Sequence, residues 1–332
     1  MTRHILGAAS AIALGVAASA ATAQTIIKVA TLAPPNTPWT AHLEAWKANV
    51  AEASGGEIEI QIFPSAQLGN EFEVYKQVQR GRVDSGAFSG AVIADNIPEL
   101  ALMSTPFLFR DAATIDCVYD QQLGDEFAAL IEEDGMKFLQ WQETGWVYIY
   151  AQDDLSDVAD AEGYKIRVSP TPISRMLWNS VGAAGTEIPY AEVPAALQTG
   201  LVRGGESAAI SFVAFGLGKV APHFMKTAQY HMAGAITISN KRWNSLSEEQ
   251  RQILVDGLPP VQDMRDTLRA TSEALLGKYA EAGGPVHDLS EEQLAAWRAK
   301  VEPNWPAFVA ELGEGAEAMW PKVLDAKAAC GE

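Results

Sequence analysis

Apolar and polar positions along this chain switch between two periods, and the switches mark its elements. Residues 26–32 are an apolar run that reads as a buried strand. After the loop Ala33-Pro34-Pro35-Asn36, Thr37 is placed to cap a helix with Pro38 at its first position. Trp39, Leu43, Trp46 and Val50 then recur at helical spacing until Gly55-Gly56 stops the helix. Residues 57–63 alternate as a strand, and Pro64-Ser65-Ala66-Gln67-Leu68-Gly69 forms a loop. Val74, Tyr75 and Val78 make the inner face of a second helix, ended by Gly81. Residues 83–88 are the next strand, followed by Ser89-Gly90. This βαβαβ order predicts a mainly parallel sheet covered by helices on both faces. Ligands of such sheets sit beyond the carboxyl ends of the strands. The loops carrying Asn36, Asn70 and Ser89 are therefore a candidate binding wall, although Asn70 and Ser89 would serve as well to cap turns.

The pattern continues with an acidic helix over about residues 111–134 and strands at 137–142 and 147–152. The chain is expected to cross to a second α/β domain near Gln142–Val147. That domain opens at 157–167, and a helix near 174–181 turns Met176 and Leu177 inward. Residues 229–239 read as two strands split by Gly234. Ser247-Glu248-Glu249-Gln250 is a capping box that starts a long helix ending near Gly283-Gly284, broken into two segments by Pro259-Pro260. Ser290 caps another helix, and 305–329 reads as a terminal helix interrupted at Pro321.

The first residues follow neither period. Arg3 and His4 precede an apolar run from Ile5 to Ala18, and Ala21-Thr22-Ala23 offers a small-residue cleavage site before Gln24. Residues 1–23 thus read as a secretory signal peptide, too short to span a bilayer. No later segment is apolar for long enough to do so, so the expectation is a soluble periplasmic protein. Lys and Arg number 24 against 42 Asp and Glu, a net charge of −18, or −19 once Arg3 leaves with the leader. Such acidity argues against nucleic acid and anionic membrane surfaces as partners. It also repels an anionic ligand at long range, so any anion site must be enclosed and locally positive. Cys117 and Cys330 are the two cysteines; export permits a disulfide, and two separate thiols remain equally open.

One stretch carries candidate chemistry. Tyr164-Lys165-Ile166-Arg167-Val168 is a short β-like run with an Arg near its end. It leads to Glu192-Val193-Pro194-Ala195-Ala196-Leu197-Gln198-Thr199-Gly200 and then Arg203-Gly204-Gly205-Glu206-Ser207. A guanidinium there offers a planar fork that meets a carboxylate bidentately and stays charged at any working pH. This ordered set, with the Pro64–Gly69 loop, resembles the receptor subunits of tripartite ATP-independent periplasmic (TRAP) transporters. Their pattern is Gly-x-Lys-x-Arg, then Glu-Val-x-x-Ala-Leu-Gln-x-Gly, then Asp-Gly-x-Glu-Asn.

The resemblance implies a two-domain periplasmic-binding-protein fold of type II kind, with hinge strands and a long helix spanning both domains. It divides the chain into a first domain, 24–143 and 233–272, and a second, 144–232 and 273–332, with C-terminal helices. It makes Arg167 the carboxylate clamp, and Ser207 stands where relatives commonly have an Asn. Glu206 belongs to the same motif, and Tyr190 stands where relatives often have an aromatic residue over the ligand. Relatives often carry a second Arg after a Gly at the crossing, where this chain has Gly145-Trp146. Trp146 and Trp39 are therefore expected to shape an apolar wall. With one clamp in place of two, a monocarboxylate fits better than a dicarboxylate.

The implied function is capture of a small organic acid between closing domains and delivery to a membrane permease, by a monomer without metal or cofactor. A signalling sensor of the same solute is the alternative. A hydrolase or lyase is disfavoured, because Gly-x-Ser-x-Gly, His-Glu-x-x-His and a phosphate loop are missing. His42, His223, His231 and His287 show no convincing partner in the sequence.

Overall fold

The computed structural model describes residues 24–332, so the leader expected at 1–23 lies outside the described residues. Nine strands form one mixed sheet among the described residues. They are β1 (Thr25–Thr31), β2 (Ile58–Phe63), β3 (Ser85–Phe88), β4 (Met136–Ala151), β5 (Lys165–Val168), β6 (Ala184–Glu187), β7 (Gly204–Ala208), β8 (His223–Ser239) and β9 (Val286–His287). The order is β2-β1-β3-β8-β4-β7-β5-β6, with β9 beside β8.

The first lobe follows the expected βαβαβ order, with β1 parallel to β2 and to β3. Thr37 caps the Pro38–Ala53 helix with a full capping box, and Trp39, Leu43, Trp46 and Val50 are buried on it. In the second lobe β5 runs parallel to β6 and β7. Two long strands join the lobes: β4 and β8 pair antiparallel from one end of the molecule to the other. So the sheet is parallel within each lobe and antiparallel where the lobes meet.

Four boundaries depart from expectation. The strands expected at 137–142 and 147–152 are one strand, β4, bent by register shifts at Phe138/Gln140, Glu143/Gly145 and Val147/Ile149. Bulges absorb the irregularity that the sequence shows as a gap. Gly234 does not split β8; it lets the strand approach the carbonyl of Phe88, where a side chain would collide. The acidic helix is three pieces, Ala112–Cys117, a π-turn at Val118–Gln122, and Gly124–Glu133. The terminal helix breaks at Gly313, whose φ of 97° suits glycine, while Pro321 lies inside the Glu314–Ala329 helix. The break at Pro259-Pro260 is as expected, separating Glu248–Asp256 from Val261–Glu281.

The Val261–Glu281 helix lies across β4 and against both lobes. The terminal helix covers Pro98–Ser104 and the π-turn. Cys117 and Cys330 form a disulfide that ties this tail down. Among the described residues, no helix is long and apolar enough to cross a membrane.

Candidate functional site

Arg167 is the third residue of β5 and is only 3% exposed. Its Nε donates to the carbonyl of Ile188 at 2.8 Å, and Nη2 reaches Ser169 Oγ at 3.4 Å. A guanidinium has five N–H groups, so most of its donor capacity remains. Among the described residues no carboxylate pairs with it within 4.0 Å. An unpaired buried cation is costly unless something anionic completes it.

Three unpartnered hydroxyls surround this cation. Tyr150, Tyr190 and Ser207 each carry a buried oxygen without a hydrogen-bond partner. The Tyr190 ring stands 5.4 Å from the Arg167 guanidinium and meets Phe215 edge-on at 5.0 Å. Its hydroxyl lies near Ser207 and Ser211 without hydrogen-bond geometry to either, and burial pushes its pKa up to about 12. It therefore remains a donor at any physiological pH. Tyr150 faces Gly205 across β4 and β7. A side chain at Gly205 would stand 2.5 Å from the Tyr150 hydroxyl and 3.3 Å from Arg167 Cβ, so this motif position needs glycine for close approach.

Glu206 precedes Ser207 on β7 and borders the same site. It is 2% exposed, and its oxygens accept from Ser174 Oγ and, at 2.9 Å, from Trp178 Nε1. Burial raises its pKa, against the pull of Arg167 and of its donors Ser174, Tyr230 and Trp178. Its bonds anchor the Pro172–Ser180 helix under the site.

Arg167, Tyr190, Glu206 and Ser207 line a cavity of about 790 Å³, counting its mouth, which also takes in Ser169, Thr171, Ser211 and Tyr230, while Tyr150 lies buried behind them. Its far wall comes from the first lobe through Asn70, Glu71, Ser89 and Ala91, with Thr144 and Val147 at the hinge. Arg167 is the only Lys or Arg among the lining residues. Asn70 Oδ1 caps the next helix by accepting from Phe72 N at 2.9 Å. Ser89 spends both its N–H and its hydroxyl on the Glu71 carboxylate, at 2.7 Å each. Burial raises the pKa of Glu71, opposed by those two bonds.

Two expected wall residues lie elsewhere. Trp146 meets His231 edge-on at 5.3 Å and lines a separate cavity behind the hinge, with Glu143, Gly145, Leu268 and Arg269. The bulge at Glu143/Gly145 sets which residues face front, and it turns Thr144 and Val147 to the site and Trp146 to the back. Asn36 is exposed in a left-handed turn (φ 64°) on the outer surface. Trp39 lines a compartment adjoining the main cavity, but its N–H is committed to the carbonyl of Glu143 at 2.7 Å.

The histidines also have partners that the sequence hid. His42 meets Gln140, His223 pairs with His287, and buried His231 lies 3.4 Å from Glu143. Glu71, Ser169, Ser211 and Tyr230 were not foreseen at the site. Only Glu71 carried a signal, as the acid directly after the Asn70 cap in a loop already singled out.

A single unpaired guanidinium, ringed by idle hydroxyls and enclosed by two hinged lobes, is a receptor for a small anion. The sequence pattern of the family described as DctP, bacterial extracellular solute-binding protein, family 7, matches residues 29–312. The chain belongs to that family. It is a TRAP-type periplasmic solute receptor. One relative is the C4-dicarboxylate-binding periplasmic protein DctP of Rhodobacter capsulatus, 24% identical over 319 residues, covering 94% of this receptor and 96% of that protein. Another is the 2,3-diketo-L-gulonate-binding periplasmic protein of Escherichia coli, 28% identical over 250 residues, covering 74% and 76%. Among solved structures, the sugar acid binding protein of Advenella mimigardefordensis in complex with galactonate superposes with a TM-score of 0.88 at 23% identity. That match covers 93% of the receptor and 99% of that chain.

Proposed function

We propose that the receptor captures a hydroxyl-bearing monocarboxylate, of the sugar-acid class, and hands it to a membrane permease. Arg167 is the clamp, with Ser207 and Tyr190 as further donors to the carboxylate. The observation that carries this reading is one cation in a lining that also holds two acids, Glu206 beside it and Glu71 facing it. Arg167 is the only cation of the lining, and Glu71 stands on the opposite wall. A second carboxylate on the ligand would meet Glu71 and no counter-charge. A hydroxyl group there would donate to Glu71 instead, and Ser169, Thr171 and Ser211 suit further hydroxyls. The galactonate and diketogulonate relatives agree in ligand class, while the C4-dicarboxylate relative marks the competing one.

The experiment is calorimetry with D-galactonate, D-glucuronate, succinate and malate on wild type, Arg167→Ala and Arg167→Lys. Sugar acids should bind wild type more tightly than the dicarboxylates. Arg167→Ala should lose about 2–5 kcal/mol, roughly thirty-fold to several thousand-fold, because a buried anion keeps no partner. Arg167→Lys should recover only part, since an ammonium lacks the fork. Preference for succinate, or unchanged affinity in a folded Arg167→Ala, would refute the reading.

A further inference from the structure

The binding cavity does not end at Glu71. A second compartment of about 440 Å³, counting its mouth, adjoins it and shares Leu32, Glu71, Ser89, Thr144, Tyr190 and Ser211 as walls. These shared walls are mostly polar and form a belt between the two spaces. Beyond the belt, the second compartment is lined by Ala33, Pro34, Trp39, Ala87 and Phe215. Arg167 lines only the first. One end of the combined space thus carries the cation, and the other end is apolar.

The polar groups of the far compartment are engaged with the protein itself. The Trp39 indole N–H donates to Glu143 O at 2.7 Å, which leaves the ring to offer apolar surface. Gln142 Nε2 donates to Phe88 O at 2.8 Å, and Thr31 Oγ1 accepts from Ala33 N at 3.2 Å. The Pro34 carbonyl accepts from the hydroxyls of Thr37 and Thr40 at 2.8 and 3.1 Å. Trp39 is seated on Ile210, Met264 and Leu268, which together with its N–H bond fixes the ring. Phe215 meets Tyr190 edge-on at 5.0 Å, and Tyr190 also stands over Arg167, so this wall is tied to the clamp. A hydroxyl entering such a space loses its hydration and finds little to replace it. An apolar group is favoured there in proportion to the area it removes from water.

We propose that this compartment is a second subsite, and that the solute is a sugar acid carrying an apolar, ring-sized group at the end remote from its carboxylate. The carboxylate meets Arg167, the hydroxyls meet the belt around Glu71, and the apolar group lies against Trp39 and Phe215. A few polar groups that fix orientation, followed by apolar walls, is the usual composition of a small-molecule site. The proposal rests on the reading of Arg167 as carboxylate clamp for a sugar acid, and it adds the chemistry of the ligand's far end.

Calorimetry with two pairs of probes isolates the apolar end: methyl and phenyl β-D-glucuronide, then butyrate and 4-phenylbutyrate. The proteins are wild type, Phe215→Ala, which removes a wall, and Ala33→Phe, which fills the compartment from its loop. In wild type the phenyl member of each pair should bind about ten- to hundred-fold more tightly, as expected for burying one ring. Ala33→Phe should bring that ratio close to one, and Phe215→Ala should lower it about three-fold or more. Melting curves show which variants are folded. Equal binding within both pairs overturns the subsite, and so does a ratio left unchanged in a folded variant. A gain in the butyrate pair, with neither glucuronide bound, refutes the sugar-acid reading and keeps the subsite. Failure of all four probes to bind refutes both.

Discussion

Glu206 shows how a residue of a binding motif can be held by bonds to its own neighbours. It borders the cavity beside Arg167, yet its carboxylate accepts from Ser174 and Trp178. Its pKa is raised by burial, so the folded protein holds this proton more tightly than the unfolded chain does. The linked stability is fully present below the unfolded carboxylate value and is lost as pH rises through the folded one. Glu206→Gln removes that titration. The melting temperature of the variant relative to wild type should therefore climb between pH 5 and pH 8. Scanning calorimetry across that range checks it, and a flat or falling difference would mean the carboxylate is stabilised as an anion. Glu143 is the contrast. It is equally buried, yet His231 and Arg269 hold its pKa below the usual carboxylate range. Two buried acids on neighbouring strands thus differ only because of what stands beside them.

At the scale of elements, the tail and the hinge strands bear the load. The Cys117–Cys330 bond closes a separation of 213 residues. Lys322 adds an ion pair to Glu126 at 2.5 Å, and Trp305 Nε1 donates to Pro106 O at 2.9 Å. A cross-link over so long a loop restricts the unfolded chain strongly. Replacing both cysteines (Cys117→Ser with Cys330→Ser) should cost about 2–5 kcal/mol in urea unfolding. Affinity should stay unchanged, because neither cysteine lines the cavity. A loss of affinity without loss of stability would show instead that the tail controls closure. Helix starts were legible beforehand because caps are local chemistry: Thr37, Ser247 and Ser290 all cap the helices expected of them, each through a capping box. The facing of Trp146 was not, since one bulge reverses the parity of everything after it.

The whole molecule carries a net charge of −18 in its full sequence, and its cavity is lined by one buried cation. Its outer field opposes the approach of the ligand, and salt screens that field over about 10 Å at 0.1 M. Raising NaCl from about 0.02 to 0.2 M should therefore speed association about two- to ten-fold. Dissociation should change little, because the closed site is out of reach of bulk ions. Stopped-flow tryptophan fluorescence measures both rates. An association rate that falls with salt would place a local positive funnel at the mouth that outweighs the net charge.

The amino-acid sequence by itself determined the helix caps, the βαβαβ order of the first lobe, and the strand-end Arg167 with Ser207 and Tyr190 as neighbours. These follow from short-range rules, namely periodicity, capping and a motif confined to some forty consecutive positions. Only the tertiary structure decided the rest. It paired Cys117 with Cys330, set Tyr150 against Gly205, brought Glu71 opposite Arg167, and moved Trp146 and Asn36 out of the site. Each of those outcomes depends on strand pairing and bulge position between segments far apart in the chain. Such registers are settled by packing across the whole sheet, which no local window of residues records.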